Sequence, residues 1–193
     1  MSVTKTAYLV RHGETDWNSE DRWQGHSDPG INDIGKRQAE RAAEYLSGME
    51  FSEIYSSDLT RTLNTAGIIG KKLGISFIRE LKCLRERDLG SLSGMTLSEI
   101  VREYPHLKLQ NGMLGPNDLP TVERWRDYSE RCWNCITGIM SQVESQALVV
   151  THGGVIYTVR GKIMGNFDRQ VIGNGEIVKI TVEGSSYAYE QVL

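Results

Sequence analysis

The sequence predicts an α/β fold, a three-layer α/β/α sandwich whose mostly parallel sheet carries an antiparallel edge strand. Short apolar runs alternate with amphipathic helical stretches, and such alternation places parallel strands between two layers of helices. The end of the chain differs, because residues 177–182 and 187–192 flank the turn residues Glu183–Ser186, as in a hairpin. The 193 residues suit one domain, 1–193, with neither repeats nor a linker.

Four further strands are predicted where short apolar runs lack helical spacing. These runs are Ala7–Val10, Glu53–Ser56, Ile75–Ile78 and Ala147–Val150. Each is followed by polar or small residues, so the ends of the strands are well marked.

The predicted helices have recognisable ends. Asn32 is expected to cap the first helix and Ser57 or Asp58 the second. Thr96, with a glutamate three residues later, resembles the capping box of a short third helix. Gly74 is expected to end the second helix, because glycine readily adopts the left-handed conformation found there.

The second half of the chain contains a predicted loop and two predicted helices. The polar stretch Pro105–Pro120 is expected to form a loop or a lid, in which Met113 and Leu114 suit either substrate contact or packing. Apolar residues then recur at helical spacing over Thr121–Glu144 and Gly154–Met164, which predicts a long helix and a shorter one.

Net charge limits the binding partners that we expect. The chain carries a formal charge of −3, so no global field attracts nucleic acid or an anionic membrane. The longest apolar run near the N-terminus, Ala7–Val10, is far shorter than a signal-peptide core or a spanning helix. We therefore expect a small-molecule partner, with any phosphate affinity supplied by a local cluster of arginine and histidine.

The three cysteines, Cys83, Cys132 and Cys135, are odd in number and lack the spacing of a disulfide framework. This pattern suits a reducing cytoplasm, which is the localisation we expect. Cys132 and Cys135 lie on the apolar face of the long predicted helix, so packing is favoured over redox or zinc chemistry.

Polar residues that follow predicted strands are the candidates for a ligand site, since ligands bind beyond the carboxyl ends of such strands. Two histidines and two arginines come together there. The candidates are Arg11, His12, Gly13, Ser57, Asp58, Arg61, Thr151, His152, Gly153 and Gly154.

The two histidines and two arginines make a poor metal site, because the arginines repel a cation and no carboxylate is among these four side chains. They make a good phosphate site, because a guanidinium matches two phosphate oxygens. A neutral imidazole against that phosphate is a nucleophile, and neighbouring arginines favour the neutral form. A leaving alkoxide also needs a proton, for which Glu86 is the candidate and Asp88 its competitor.

Four motifs carry a resemblance to a known family. They are LVRHGETDWN at 9–18 with WQG at 23–25, YSSDLTRT at 55–62, LRE at 84–86 and VTHGG at 150–154. In this order they resemble the signature of the histidine phosphatase superfamily, which includes the cofactor-dependent phosphoglycerate mutases. The resemblance implies the α/β/α fold of that family, with no metal and no bound cofactor.

The resemblance also implies a role for individual residues. His12 would be phosphorylated, while Glu86 would donate a proton and later activate water. The phosphoryl oxygens would be held by Arg11, Asn18, Gln24, Gly25, Arg61, His152 and Gly153. The family pattern, more than the chemistry, favours Glu86 over Asp88.

Two departures favour a phosphomonoesterase over a mutase. Leu89 stands where the mutases of the family carry a tyrosine, and the stretch after Gly94 lacks their insertion with its pair of arginines. Ser93 replaces a common glutamate or glutamine, which affects pocket details. A mutase and a non-catalytic phospho-ligand binder remain the alternatives.

Several features are left open by the sequence. His26 and His106 are expected to be ordinary loop histidines, although His26 is close to the proposed pocket. The substrate could be a sugar phosphate, phosphoserine, a phosphoglycerate or a cobalamin-pathway phosphate. A homodimer is one of the oligomeric states that the sequence allows.

Overall fold

A computed structural model describes residues 4–107, 109–110, 113–114, 119–167 and 171–193. Its main sheet has six strands in the order β3-β2-β6-β1-β7-β8. Their bounds are β1 Lys5–Arg11, β2 Ile54–Ser56, β3 Ile78–Glu80, β6 Gln146–Thr151, β7 Ile177–Glu183 and β8 Ser186–Gln191. β1, β2, β3 and β6 are parallel, whereas β7 and β8 are antiparallel, which confirms the predicted sheet and hairpin.

Six helices accompany the sheet in the described part of the chain. They are α1 Asp16–Ser19, α2 Asp33–Tyr45, α3 Thr60–Leu73, α4 Leu97–Glu103, α5 Trp125–Gln142 and α6 Gly153–Met164. Neighbouring residues of β1 point to opposite faces: Val10 packs with α2 and α3, and Leu9 with α5 and α6. Helices therefore cover both faces, and the predicted three-layer sandwich is confirmed.

Several predicted helix ends are confirmed. The Asn32 side chain accepts from the Gly35 N–H at 2.9 Å, at the start of α2. Thr96 caps α4 with the reciprocal capping box. Gly74 ends α3 in the left-handed conformation, with φ of 74°.

The predicted cap of α3 was wrong. Neither Ser57 nor Asp58 caps this helix, because both side chains are engaged elsewhere: Asp58 binds Arg85 through two bonds of 2.6 Å, and Ser57 contacts His152. Asp28 takes their place by accepting from the Thr60 N–H at 2.5 Å.

The third strand lies later than predicted. Ile75 follows the cap of α3 and is tied to that helix, since its N–H donates to the Gly70 carbonyl oxygen at 2.8 Å. The strand begins at Ile78, which pairs with Ile54 of β2.

The predicted loop contains a short antiparallel pair, β4 Leu109–Gln110 with β5 Met113–Leu114. The prediction of a lid, and those on the Met113 and Leu114 side chains, fall outside what is described. The long helix starts at Trp125 rather than Thr121, because the Glu123 N–H binds the Asp88 carbonyl oxygen at 2.9 Å and holds the preceding turn.

The cysteine prediction was partly wrong. Cys132 is buried and free on the core side of α5, as predicted. Cys83 and Cys135 instead form a disulfide with a Cα–Cα separation of 5.8 Å. A short 3₁₀ turn, Lys82–Leu84, lies against α5 and brings Cys83 beside Cys135, a proximity that sequence spacing did not reveal. Among the described helices, none has the length and apolar character of a membrane span.

Candidate active site

The carboxyl ends of three parallel strands meet at one edge of the sheet. Arg11 ends β1 opposite Thr151 of β6, and Ser56 of β2 pairs with Val150. The residues that follow these strands are thereby brought together, as predicted. The ring centroids of His12 and His152 are 5.2 Å apart.

A cavity of about 330 Å³ opens at this edge. Eight of the nine residues predicted to act on the phosphate or its leaving group line it, and the ninth, His152, is fully buried beside the His12 ring. The lining comprises Arg11, His12, Asn18, Arg22, Trp23, Gln24, Gly25, Arg61, Glu86, Leu89, Gly153, Gly154, Tyr157, Val171 and Ile172.

His12 has one ring nitrogen committed and one free. Its Nδ1 lies 2.8 Å from the Gly13 carbonyl oxygen, which can only accept, so Nδ1 carries the hydrogen. Burial, together with the guanidinium groups of Arg61 and Arg11, lowers the pKa of His12 well below its usual value. The ring is therefore neutral at pH 7, and Nε2 keeps the lone pair that a nucleophile needs.

Arg61 is 1% exposed and is held rigidly. Nη1 donates to the Ser27 carbonyl oxygen and Nη2 to the Gly25 carbonyl oxygen, both at 2.7 Å. Its buried Nε has no partner within the described residues. Burial lowers the pKa of Arg61 to about 10, so the group is cationic at neutral pH with one N–H available to an anion.

Arg11 has a similar arrangement. Nη1 donates to the Ile172 carbonyl oxygen at 2.5 Å, and the buried Nε has no partner in the described ranges. A Cβ atom at Gly153 would lie 3.3 Å from that Nε, so the glycine leaves room beside it. Two arginines thus present unpaired N–H groups in one cavity, an arrangement suited to phosphate oxygens.

The His152 ring is oriented by Ser57. The Ser57 hydroxyl lies 2.9 Å from Nε2 of His152, whose Nδ1 is buried and unpartnered among the described residues. Burial and the charge of Arg61 lower the pKa of His152 well below its usual value, so the ring is neutral. If Ser57 donates to Nε2, Nδ1 carries the hydrogen and can donate to an anion.

The Asn18 amide is oriented by donors that contact its oxygen. Its Oδ1 accepts from the Thr15 N–H at 3.2 Å and the Asn174 amide at 3.3 Å. The amide NH₂ is consequently the free end of a side chain that lines the cavity. Sequence reasoning missed Asn174, which lies far along the chain in a stretch without a recognisable pattern.

Gln24 and Gly25 line the cavity beside Arg61. Gln24 is 8% exposed and its Oε1 has no partner in the described chain. Gly25 has φ of 51°, and a Cβ atom there would come within 2.9 Å of the Leu89 N. Only glycine fits this turn without strain, and its carbonyl oxygen is then aimed at Arg61.

Glu86 lines the cavity with its carboxylate held by three donors. Oε1 accepts from the Tyr128 hydroxyl at 2.6 Å and the Arg87 N–H at 2.9 Å. Oε2 accepts from the Gly154 N–H at 2.9 Å. Sequence analysis did not identify Tyr128, because helical spacing shows that a tyrosine faces the core but not whether its hydroxyl has a polar partner.

The neighbours of Glu86 are engaged elsewhere. Asp88 is not among the cavity-lining residues and accepts from the Gly90 N–H at 2.9 Å. The Arg87 guanidinium donates to the Glu123 carbonyl oxygen at 2.7 Å. His26 does not line the cavity, and its Nε2 lies 2.9 Å from the Glu86 carbonyl oxygen. The geometry therefore places Glu86, and not Asp88, at the cavity.

Part of the cavity lining is apolar. Trp23, Leu89, Tyr157 and Ile172 contribute to it. Arg22 also lies there, but its guanidinium is already paired with Glu20, Glu99 and the Gly94 carbonyl oxygen.

The family of this chain follows from comparisons with known proteins. A family model, Histidine phosphatase superfamily (branch 1), matches residues 7–192. Phosphoglycerate mutase-like protein 4 of Arabidopsis thaliana is 40% identical over 152 residues, which are 77% of this chain and 66% of that protein, slightly less than two thirds of its length. The uncharacterized phosphatase PhoE of Bacillus subtilis (strain 168) is 32% identical over 158 residues, 81% of this chain and 76% of that protein.

A solved structure, Bacillus stearothermophilus YhfR, superposes with a TM-score of 0.84 at 28% identity. The match covers 97% of this chain and 96% of that one. The matched family model, the sequence similarity and the fold all agree with the resemblance inferred from the four motifs. The chain belongs to the histidine phosphatase superfamily.

Proposed function

We propose that this protein is a phosphomonoesterase that carries the phosphoryl group on His12 during turnover and acts on a small phosphorylated metabolite. The observation that carries the proposal is the state of His12: a neutral ring with Nδ1 committed to Gly13, beside two guanidinium groups. A phosphate held by Arg11 and Arg61 would lie against the free Nε2.

In the first step Nε2 of His12 attacks phosphorus, and the bond from phosphorus to the leaving-group oxygen breaks. Glu86 enters this step in its protonated form and gives its proton to that oxygen, so the product leaves as an alcohol. The arginines, with the Nδ1 hydrogen of His152, stabilise the negative charge spread over the equatorial oxygens.

In the second step water attacks the phosphohistidine and gives a proton to Glu86. The bond from phosphorus to Nε2 breaks, inorganic phosphate leaves, and His12 returns to the neutral form. Atoms and charge balance over the two steps without a resident cofactor.

A phosphoglycerate mutase is the second candidate, because a relative at 40% identity bears a mutase-like name. The cavity lining favours hydrolysis. Arg22 is already paired with two carboxylates, and Leu89 offers no hydroxyl to a glycerate.

Phosphate release from 4-nitrophenyl phosphate and from a panel of sugar, amino-acid and glycerate phosphates tests the proposal. Turnover should fall to background in His12→Gln. The matched control is His106→Gln, which changes an exposed loop histidine and should leave turnover intact. Binding of phosphate without any turnover would favour a non-catalytic binder instead.

A further inference from the structure

The hydroxyl of Tyr128 contacts Glu86 directly, at 2.6 Å from Oε1. Tyr128 is 1% exposed and lies in the first turn of α5. Burial, reinforced by the Glu86 carboxylate, raises the pKa of Tyr128 well above its usual value. The hydroxyl therefore keeps its hydrogen and donates it to Oε1.

The two oxygens of Glu86 are not equivalent. Oε1 receives both the Tyr128 O–H and the Arg87 N–H, whereas Oε2 receives the Gly154 N–H alone. A carboxylate oxygen has two lone pairs in its plane. Oε1 is consequently saturated, while Oε2 retains one open position.

We propose that Tyr128 is a positioning residue for the general acid Glu86. The Tyr128 hydroxyl occupies Oε1, so that the transferable proton is carried on Oε2. The inference rests on the proposed role of Glu86 as proton donor. In the first step the proton passes from Oε2 to the leaving-group oxygen as the bond to phosphorus breaks. In the second step Oε2 takes a proton from the attacking water. Tyr128 keeps its own hydrogen in both.

Neighbouring side chains pack against the Tyr128 ring and hold it in place. The Trp125 ring packs on one side, with centroids 5.7 Å apart, and the Arg131 guanidinium lies 5.1 Å from the ring centroid. Arg131 is itself paired with Glu123 at 2.7 Å. Replacing Tyr128 by phenylalanine should thus remove the hydroxyl and keep the packing.

Without the hydroxyl, Oε1 has an open position and competes with Oε2 for the proton. A proton on Oε1 faces α5 rather than the substrate, so proton donation becomes less efficient. Good leaving groups do not need the proton and should be insensitive to the change.

The test is the rate of His12 phosphorylation, measured by rapid quench, with 4-nitrophenyl phosphate and with butyl phosphate. For Tyr128→Phe we expect about a ten- to hundredfold loss with butyl phosphate, the range for a lost hydrogen bond to a charged group. With 4-nitrophenyl phosphate the change should stay within about twofold. In a Glu86→Gln background, Tyr128→Phe should have no further effect on butyl phosphate.

The matched control is Tyr55→Phe. Tyr55 is 4% exposed in the same core cluster, and its pKa is raised by burial and by a neighbouring glutamate, Glu53, which does not line the cavity. The Tyr55→Phe substitution should leave both phosphorylation rates unchanged. An equal loss on both substrates in Tyr128→Phe, or an additive loss in the double variant, would mean a merely structural role and overturn the inference. Absence of phosphorylation in the parent protein would instead overturn the proposed function.

Discussion

The Nδ1 atom of His12 lies 2.8 Å from the carbonyl oxygen of Gly13. Since Nδ1 must carry the hydrogen, Nε2 is the nitrogen that becomes phosphorylated in the proposed reaction. The phosphoenzyme trapped by rapid quench with labelled substrate should therefore be stable in alkali, labile in acid, and absent from His12→Gln. Label on serine or aspartate, for example Ser57 or Asp58, would show that the nucleophile has been misassigned.

The sequence predicted which residues come together at the sheet edge better than it predicted where the elements begin and end. His12 and His152 could be placed together because residues that follow parallel strands share one sheet edge. The cap of α3 could not be predicted, because the groups that recruit Ser57 and Asp58 come from distant parts of the chain.

Residues that support the site were harder to find than those that line it. Tyr128 and Asn174 act on Glu86 and Asn18 through contacts that join distant segments. Local patterns report helix faces and turns, not which polar atom such a residue meets in the fold. The Cys83–Cys135 pairing escaped detection for the same reason.

Glu86→Gln should slow phosphorylation of His12 by poor leaving groups by about a hundred- to ten-thousandfold, the usual contribution of a general acid. Nitrophenolate leaves unaided, so 4-nitrophenyl phosphate should be far less affected in this first step. Measuring phosphoenzyme formation over a series of aryl and alkyl phosphates gives the dependence on the pKa of the leaving group.

Asp88→Asn is the matched control for the acid, because it changes a carboxylate two residues away that lies outside the cavity lining. Its dependence on the leaving group should match that of the parent. If Asp88→Asn is impaired on alkyl phosphates and Glu86→Gln is not, the acid has been assigned to the wrong residue.

Gly154→Ala should reduce both stability and activity. The added Cβ would collide with Oε1 of Glu86 and lie 2.7 Å from the Tyr128 hydroxyl, so the Glu86 side chain, the proposed general acid, must move. Overpacking of this kind costs about 1–3 kcal/mol of stability. Urea unfolding and butyl phosphate turnover measure the two effects.

Gly138→Ala is the control for that substitution. Gly138 lies within α5, and a Cβ there would have nothing within 4 Å. This variant should be more stable by about 0.5–1 kcal/mol, because alanine is the better helix former. Full activity in Gly154→Ala would mean that Glu86 does not need its observed position.

Buried neutral histidines should make the protein lose stability in mild acid. The pKa values of His12 and His152 are lowered well below their usual value, so between the folded and unfolded values the unfolded chain binds more protons. Stability then rises with pH, and falls as pH drops below about 6.5, by up to about 1.4 kcal/mol per pH unit for each histidine.

Urea unfolding at pH 7, 6 and 5 tests this dependence. His12→Gln should reduce the slope by up to one proton, whereas His106→Gln, at an exposed position, should leave it unchanged. An unaltered slope in His12→Gln would show that His12 titrates alike in the folded and unfolded chains.

Hydrolysis and phosphoryl exchange place different demands on the site. A mutase must keep water from the phosphohistidine and hold a glycerate carboxylate through two transfers. Here Leu89 offers no hydroxyl at the cavity, and Arg22 is already paired with Glu20 and Glu99. Water should therefore capture the phosphoryl group before a returning hydroxyl does.

Offered 3-phosphoglycerate with a catalytic amount of 2,3-bisphosphoglycerate, the enzyme should release phosphate or leave the substrate unchanged. Coupling to enolase reports any 2-phosphoglycerate that forms. Isomer exchange at tens of turnovers per second, a typical enzyme rate, with little phosphate released would establish a mutase instead. The chemistry at His12 is common to both reactions, so that outcome would revise the fate of the phosphoryl group while leaving its carrier unchanged.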